Sequence, residues 1–66
     1  QTSWTIKTEN IIISSIKVFD VLGKNVVSLF PNTIETVIDG SSLKAGLYFA
    51  QIKTVSGVKI MKLIKE

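Results

Sequence analysis

The chain offers few groups that could do chemistry: five carboxylates, eight lysines and a scatter of hydroxyls, with no Cys and no His in 66 residues. Thiolate or imidazole metal sites, Ser-His and Cys-His nucleophile pairs and a histidine pH switch are therefore excluded. Asp20 and Asp39 stand next to glycine-containing turns and are the two acids from which a calcium site or an acid–base pair could be imagined. Calcium takes six to eight oxygens, and no dense Asp/Asn loop supplies them. An Asp that opens a turn more often accepts hydrogen bonds from the backbone two residues on, which is the role expected of both. Ser41-Ser42 provides hydroxyls without a base to activate them. No catalytic residue, metal ligand or cofactor-binding residue is expected.

The positive charges are all Lys and the net charge is +3. Absence of Arg removes the side chain best fitted to bidentate phosphate or guanine recognition, and dispersed Lys reads as solubility. Trp4, Phe19, Phe30, Tyr48 and Phe49 are enough to form a stacking platform for single-stranded nucleic acid on a small barrel. They are separated by Ile and Val, not interleaved with basic residues, so core is the expectation. The longest apolar run, Leu47 to Ala50, is far short of the ~20 residues of a spanning helix. The chain opens on Gln1 without Met, a basic n-region or an apolar h-region, and reads as a segment cut from a longer protein.

These residues need elements to hold them. At 66 residues, 45% apolar and 20% charged, the chain is expected to fold as one domain with a small core. Ile and Val supply seventeen residues and Thr six, against two Ala, so strands are expected throughout. The first is 4–8, closed by Glu9-Asn10. Residues 11–15 are ambiguous, being a buried strand or a lead into the next. Ile16 and Val18 share one face and Lys17, Phe19 and Val21 the other, before a turn at 20–23 whose Gly23 suits a left-handed backbone. A return strand over 24–30 ends at Pro31-Asn32, and 34–38 is another short strand, ended by Asp39-Gly40.

Residues 41–46 read as a single helical turn, capped by a Ser and ended by Gly46. The strongest strand, 47–54, follows, with Tyr48 and Phe49 on opposite faces. Residues 55–57 then turn the chain into a last strand, 58–65. That hairpin echoes the first: Val18 aligns with Ile52, Gly23 with Gly57, Val26 with Ile60 and Leu29 with Leu63. Lys59, Lys62 and Lys65 could instead line a basic amphipathic helix, but the stretch is short and β-branched, which favours strand. Strand alternation sets Lys59 and Lys65 on one face and Lys62 on the other, between Ile60 and Ile64. Lys62 is then either a snorkelling edge lysine or a partner contact.

The segment IKVFDVLGKNV, an Ile-Asp pair at 38–39, SLKAGLYFAQI and the terminal SGVKIMKLIK, in that order and spacing, resemble the type A C-terminal sorting domain of the type IX secretion system of Bacteroidota. The likeness covers about residues 13–66; the family's opening tyrosine-proline-asparagine-proline-like stretch and a further strand are not in the chain. It implies a small immunoglobulin-like antiparallel β-sandwich, with Asp20, Gly23, Lys24, Leu43, Gly46, Tyr48, Gly57, Lys62 and Leu63 as the residues matching the family pattern. It also implies a non-catalytic tail of a secreted enzyme or adhesin. In that family the domain is recognised on the periplasmic side of an outer-membrane translocon, carries its covalently linked N-terminal cargo across, and is usually removed by a sortase-like peptidase during surface attachment. Tyr48 is expected to bury its ring and hydrogen-bond its hydroxyl near a corner, as in related sandwiches. The alternatives are a carbohydrate-binding or adhesion module, which would want an exposed aromatic row or a calcium site, and a nucleic-acid-binding barrel.

Overall fold

The structure is a computed structural model that describes residues 2–66. It is all-β, with six strands: β1 Ser3–Lys7, β2 Ile13–Phe19, β3 Asn25–Leu29, β4 Glu35–Asp39, β5 Gly46–Thr54 and β6 Gly57–Lys65. Strands β1 and β4 pair into one antiparallel sheet, and the second, also antiparallel, has the order β3-β2-β5-β6. The inner faces meet in a core built from Ile6 and Ile38 on the small sheet and Ile13, Ile16, Val18, Tyr48, Ala50, Ile52 and Leu63 on the large one. The arrangement is consistent with an immunoglobulin-like sandwich, and the tail is strand.

Alternation explains most of it. On β5, Tyr48, Ala50 and Ile52 are buried while the residues between them are less covered. The ambiguous stretch after Asn10 is resolved by a bulge. Ile13 and Ile16 are both fully buried, which a flat strand cannot do for residues three apart. The register slips between Ile13 and Ser15, and the Ser14 hydroxyl donates to Lys53 O at 2.9 Å, so the extra residue restores both isoleucines to one face. A second bulge leaves Val26 as the extra residue of β3, and Val26 and Val27 both pack on the core. Asn10 and Asn32 take positive φ, of 64° and 54°, at the two breaks expected there.

Three expectations are corrected. Residues 41–46 form no helix. The Ser41 amide donates to Asp39 Oδ1 and the Leu43 amide to Gly40 O, which makes a β-turn; the cap is Asp39, not a Ser, and Gly46 opens β5 instead of ending a helix. The two hairpins are not copies: Val55 and Ser56 alone make the second turn and Gly57 already pairs with Thr54, whereas the first spans 20–24. Ile60 consequently lands on the outer face, 57% exposed, while Val26 is half-buried. Aromatics are mostly not core. Only Tyr48 is buried, Trp4 packs at its margin, Phe19 and Phe49 face each other on the outer side of the large sheet, and Phe30 is 71% exposed.

Gly40 is demanded by a close approach: a Cβ there would lie 2.5 Å from the Trp4 ring and 3.3 Å from Thr2 O. Gly23 has open space but a φ of 84°. Gly23→Ala should cost about 1 kcal/mol by backbone strain, and Gly40→Ala about 2 kcal/mol by overpacking against Trp4. Denaturant unfolding of the two variants checks the order, and Trp4 fluorescence should shift in the second alone.

Candidate functional site

The register gathers the motif residues at one end of the sandwich. Tyr48 lies opposite Leu63, Phe49 opposite Lys62, Gly46 opposite Lys65 and Phe19 opposite Phe49. The 20–24 turn that follows Phe19, the 40–45 crossing that precedes Gly46 and the final residues of β6 are therefore neighbours. Asp20, Gly23, Lys24, Leu43, Gly46, Tyr48, Lys62 and Leu63 share this end, and Gly57 sits at the other, beside Thr54.

Most of their polar atoms are taken up by the fold. Asp20 Oδ1 accepts from the amides of Leu22 and Lys24, both at 2.9 Å. The Gly23 amide donates to Asp20 O, and the Asp20 amide to Lys24 O, each at 3.0 Å. Lys24 thus contributes backbone to the turn and leaves its side chain in solvent. In the 40–45 crossing the buried Tyr48 donates its hydroxyl to Lys44 O at 2.6 Å. Lys65 Nζ donates to Gly40 O, and to Leu43 O at 2.9 Å. Three carbonyls of the crossing, those of Gly40, Leu43 and Lys44, accept from two side chains of the large sheet, while Leu43 itself packs on the core.

Lys65 is the residue the sequence reading missed. Alternation did place it on the face of Leu63, which is the core face; a lysine at the end of such a row has to turn its ammonium onto backbone carbonyls or water. It also lies near Asp39. The hydrogen bonds that Asp39 accepts from Ser41, first from the backbone amide and then from the side chain, hold its carboxyl below the usual range, with the Lys65 charge a smaller cause. Lys62 differs: it is exposed on the outer face between Ile60 and Ile64, each 57% exposed.

Chemically, the two turn aspartates are each engaged by their own turns, and among the described residues no group of three or more His, Cys, Asp or Glu could hold a metal ion. What this end does present is surface: the Lys62 ammonium with its apolar neighbours on one side, and a pinned turn on the other. Among the described residues there is no helix long and apolar enough to cross a membrane.

A family model described as a secretion system C-terminal sorting domain matches residues 1–66, the whole chain and thus more than the stretch that carries the motifs. No curated protein and no solved structure matches it.

Two outcomes follow from the pinned turn. Tyr48→Phe should cost about 1 kcal/mol for the lost hydrogen bond, and Tyr48→Ala about 3 kcal/mol or more, both read by urea unfolding. Folding lowers the Asp39 pKa, so its contribution is present above the unfolded value of about 4 and is lost as pH falls through the folded one. Asp39→Asn should therefore lower the Tm at about pH 6 and coincide with the parent chain near pH 2. A gap that persists at the acid end would mean that Asp39 acts through something other than its charge.

Proposed function

The chain belongs to the family of type IX secretion C-terminal sorting domains, and from that premise we propose that residues 1–66 form one non-catalytic sorting module that an outer-membrane translocon reads in folded form. Type IX sorting destines a protein for secretion or the cell surface. The cargo is joined at the N-terminal side, passes through the periplasm with this domain attached, and is released from it by a sortase-like peptidase at the surface. The observation that carries the reading is the match over the whole chain. Supporting it, the carboxylates of Asp20 and Asp39 and the hydroxyl of Tyr48 at the motif end are committed to turn geometry. A handle that travels with many different cargoes has to be recognised by its own surface, and Lys62 with Ile60 and Ile64 is one part of that surface not engaged in the fold.

The test is fusion of the 66 residues to a periplasmic reporter in a host with a type IX system. The reporter should reach the surface or medium, and removing residues 62–66 should trap it, active, in the periplasm; normal export after that trim overturns the reading. Since the trim also deletes buried Leu63 and the hydrogen bonds of Lys65, Lys62→Ala separates recognition from folding. It should lower export at unchanged Tm, while Lys17→Ala exports normally.

A further inference from the structure

The large sheet ends on β6, and that edge is long and regular. Its nine residues pair with β5 through nine consecutive positions without a register shift and contain no Pro. The opposite edge, β3, has five residues, carries a bulge and is followed by Phe30-Pro31. An antiparallel strand with one neighbour uses only half of its amides and carbonyls, so the rest of those on β6 face solvent as a template for another strand. Beside the first half of β6 runs a groove of about 300 Å³, opening between that strand and β1. Ile6, Ile52 and Met61 form its covered side, and the exposed Lys7 and Lys59 stand at its mouth. On the outer face the same edge shows Ile60, Lys62 and Ile64.

We propose that β6 takes up an extended acidic strand of a partner protein, which adds to the large sheet as a fifth strand beside Lys59 and Lys62. This rests on the sorting reading for the partner's place in export, and specifies how the partner is held. A strand laid along β6 points alternate side chains over the groove and over the outer face. The groove accepts apolar residues. Lys7 and Lys59 at its mouth and Lys62 on the outer face call for carboxylates, and β6 itself contains no acid. A second copy of this chain is the wrong occupant. Antiparallel self-pairing centred on Lys62 opposes Lys59 to Lys65 and Lys62 to itself, and centring on Met61 sets the two Lys62 diagonally across. The lysines keep the edge from joining its own copies and leave it open to acidic strands.

The probe is a capped peptide of about ten residues alternating valine and glutamate, enough to run the length of the edge, with a valine–lysine counterpart and a version interrupted by proline. Added to the 66-residue chain, the acidic peptide should slow hydrogen exchange at the β6 amides that face away from β5. The lysine and proline peptides should not. Lys59→Glu with Lys62→Glu should weaken the acidic peptide about tenfold or more and admit the lysine peptide, whereas Lys17→Glu leaves binding unchanged; Lys59→Gln with Lys62→Gln replaces the reversal should that variant melt. Equal binding of acidic and basic peptides, or protection at β3 or β4 instead, overturns the proposal. The export fusion separates the two readings: export that depends on the domain without any peptide capture sinks the edge and keeps the sorting signal, and capture without dependent export does the reverse.

Discussion

A two-stranded sheet cannot cover a four-stranded one. Strands lie about 4.8 Å apart within a sheet, so β1 and β4 shield roughly the two middle strands of the larger layer and leave its margins open. Burial follows that geometry. Strands β2 and β5 supply Ile13, Ile16, Val18, Tyr48, Ala50 and Ile52 to the core; β6 supplies Leu63 alone, and β3 nothing fully buried. The groove beside β1 and the half-covered valines of β3 are consequences of one mismatch in strand number. In a chain of 66 residues that core is small, so each element outside it needs some other restraint.

The restraint on β6 is polar and sits at one end. Where the small sheet runs out, Lys65 reaches over to the carbonyls of Gly40 and Leu43, and Tyr48 reaches from β5 to Lys44 O. These bonds fasten the last residues of the chain to the crossing between the two sheets. The beginning of β6 has only the two-residue turn and β5 to hold it. The strand is thus anchored where Leu63 and Lys65 lie and more open to solvent where Gly57 to Ile60 lie, a gradient that makes local opening easier at the turn end.

Regular alternation made β5, β6 and the hairpin at Gly23 legible in the sequence, because each face of those strands has one environment. The bulges at Ser14 and Val26 were not, since one extra residue shifts the period without leaving a compositional mark. The crossing at 40–45 misled for a local reason. A serine pair, a leucine and a later glycine suit a helical turn and a β-turn equally, and the choice was made by Asp39, whose carboxylate takes the Ser41 amide before a serine hydroxyl can cap anything. Aromatics misled for a global one: with a core this narrow, only Tyr48 finds full cover, and the Phe19–Phe49 pair is left outside. Of the motif end, the sequence order identified the residues but not their roles. Asp20 holds the turn with its carboxylate, Gly23 and Lys24 act through their backbone, and the lysine that pins the fold is Lys65, outside the motif set.

Lys62 and Lys65 show how one short strand divides its work. Three residues apart, they emerge on opposite faces. Lys65, on the core side, loses its freedom to two backbone carbonyls and becomes part of the fold; Lys62 stays in solvent with an isoleucine on either side. A stability argument accounts for the first and has nothing to say about the second, because two exposed isoleucines flanking a lysine neither fill the core nor relieve a buried polar group. Burying that outer surface against a partner strand would turn its apolar area into binding energy. The strand-number mismatch that weakens the isolated fold leaves the groove on the inner side of β6 open, so one added strand would cover both faces of that edge.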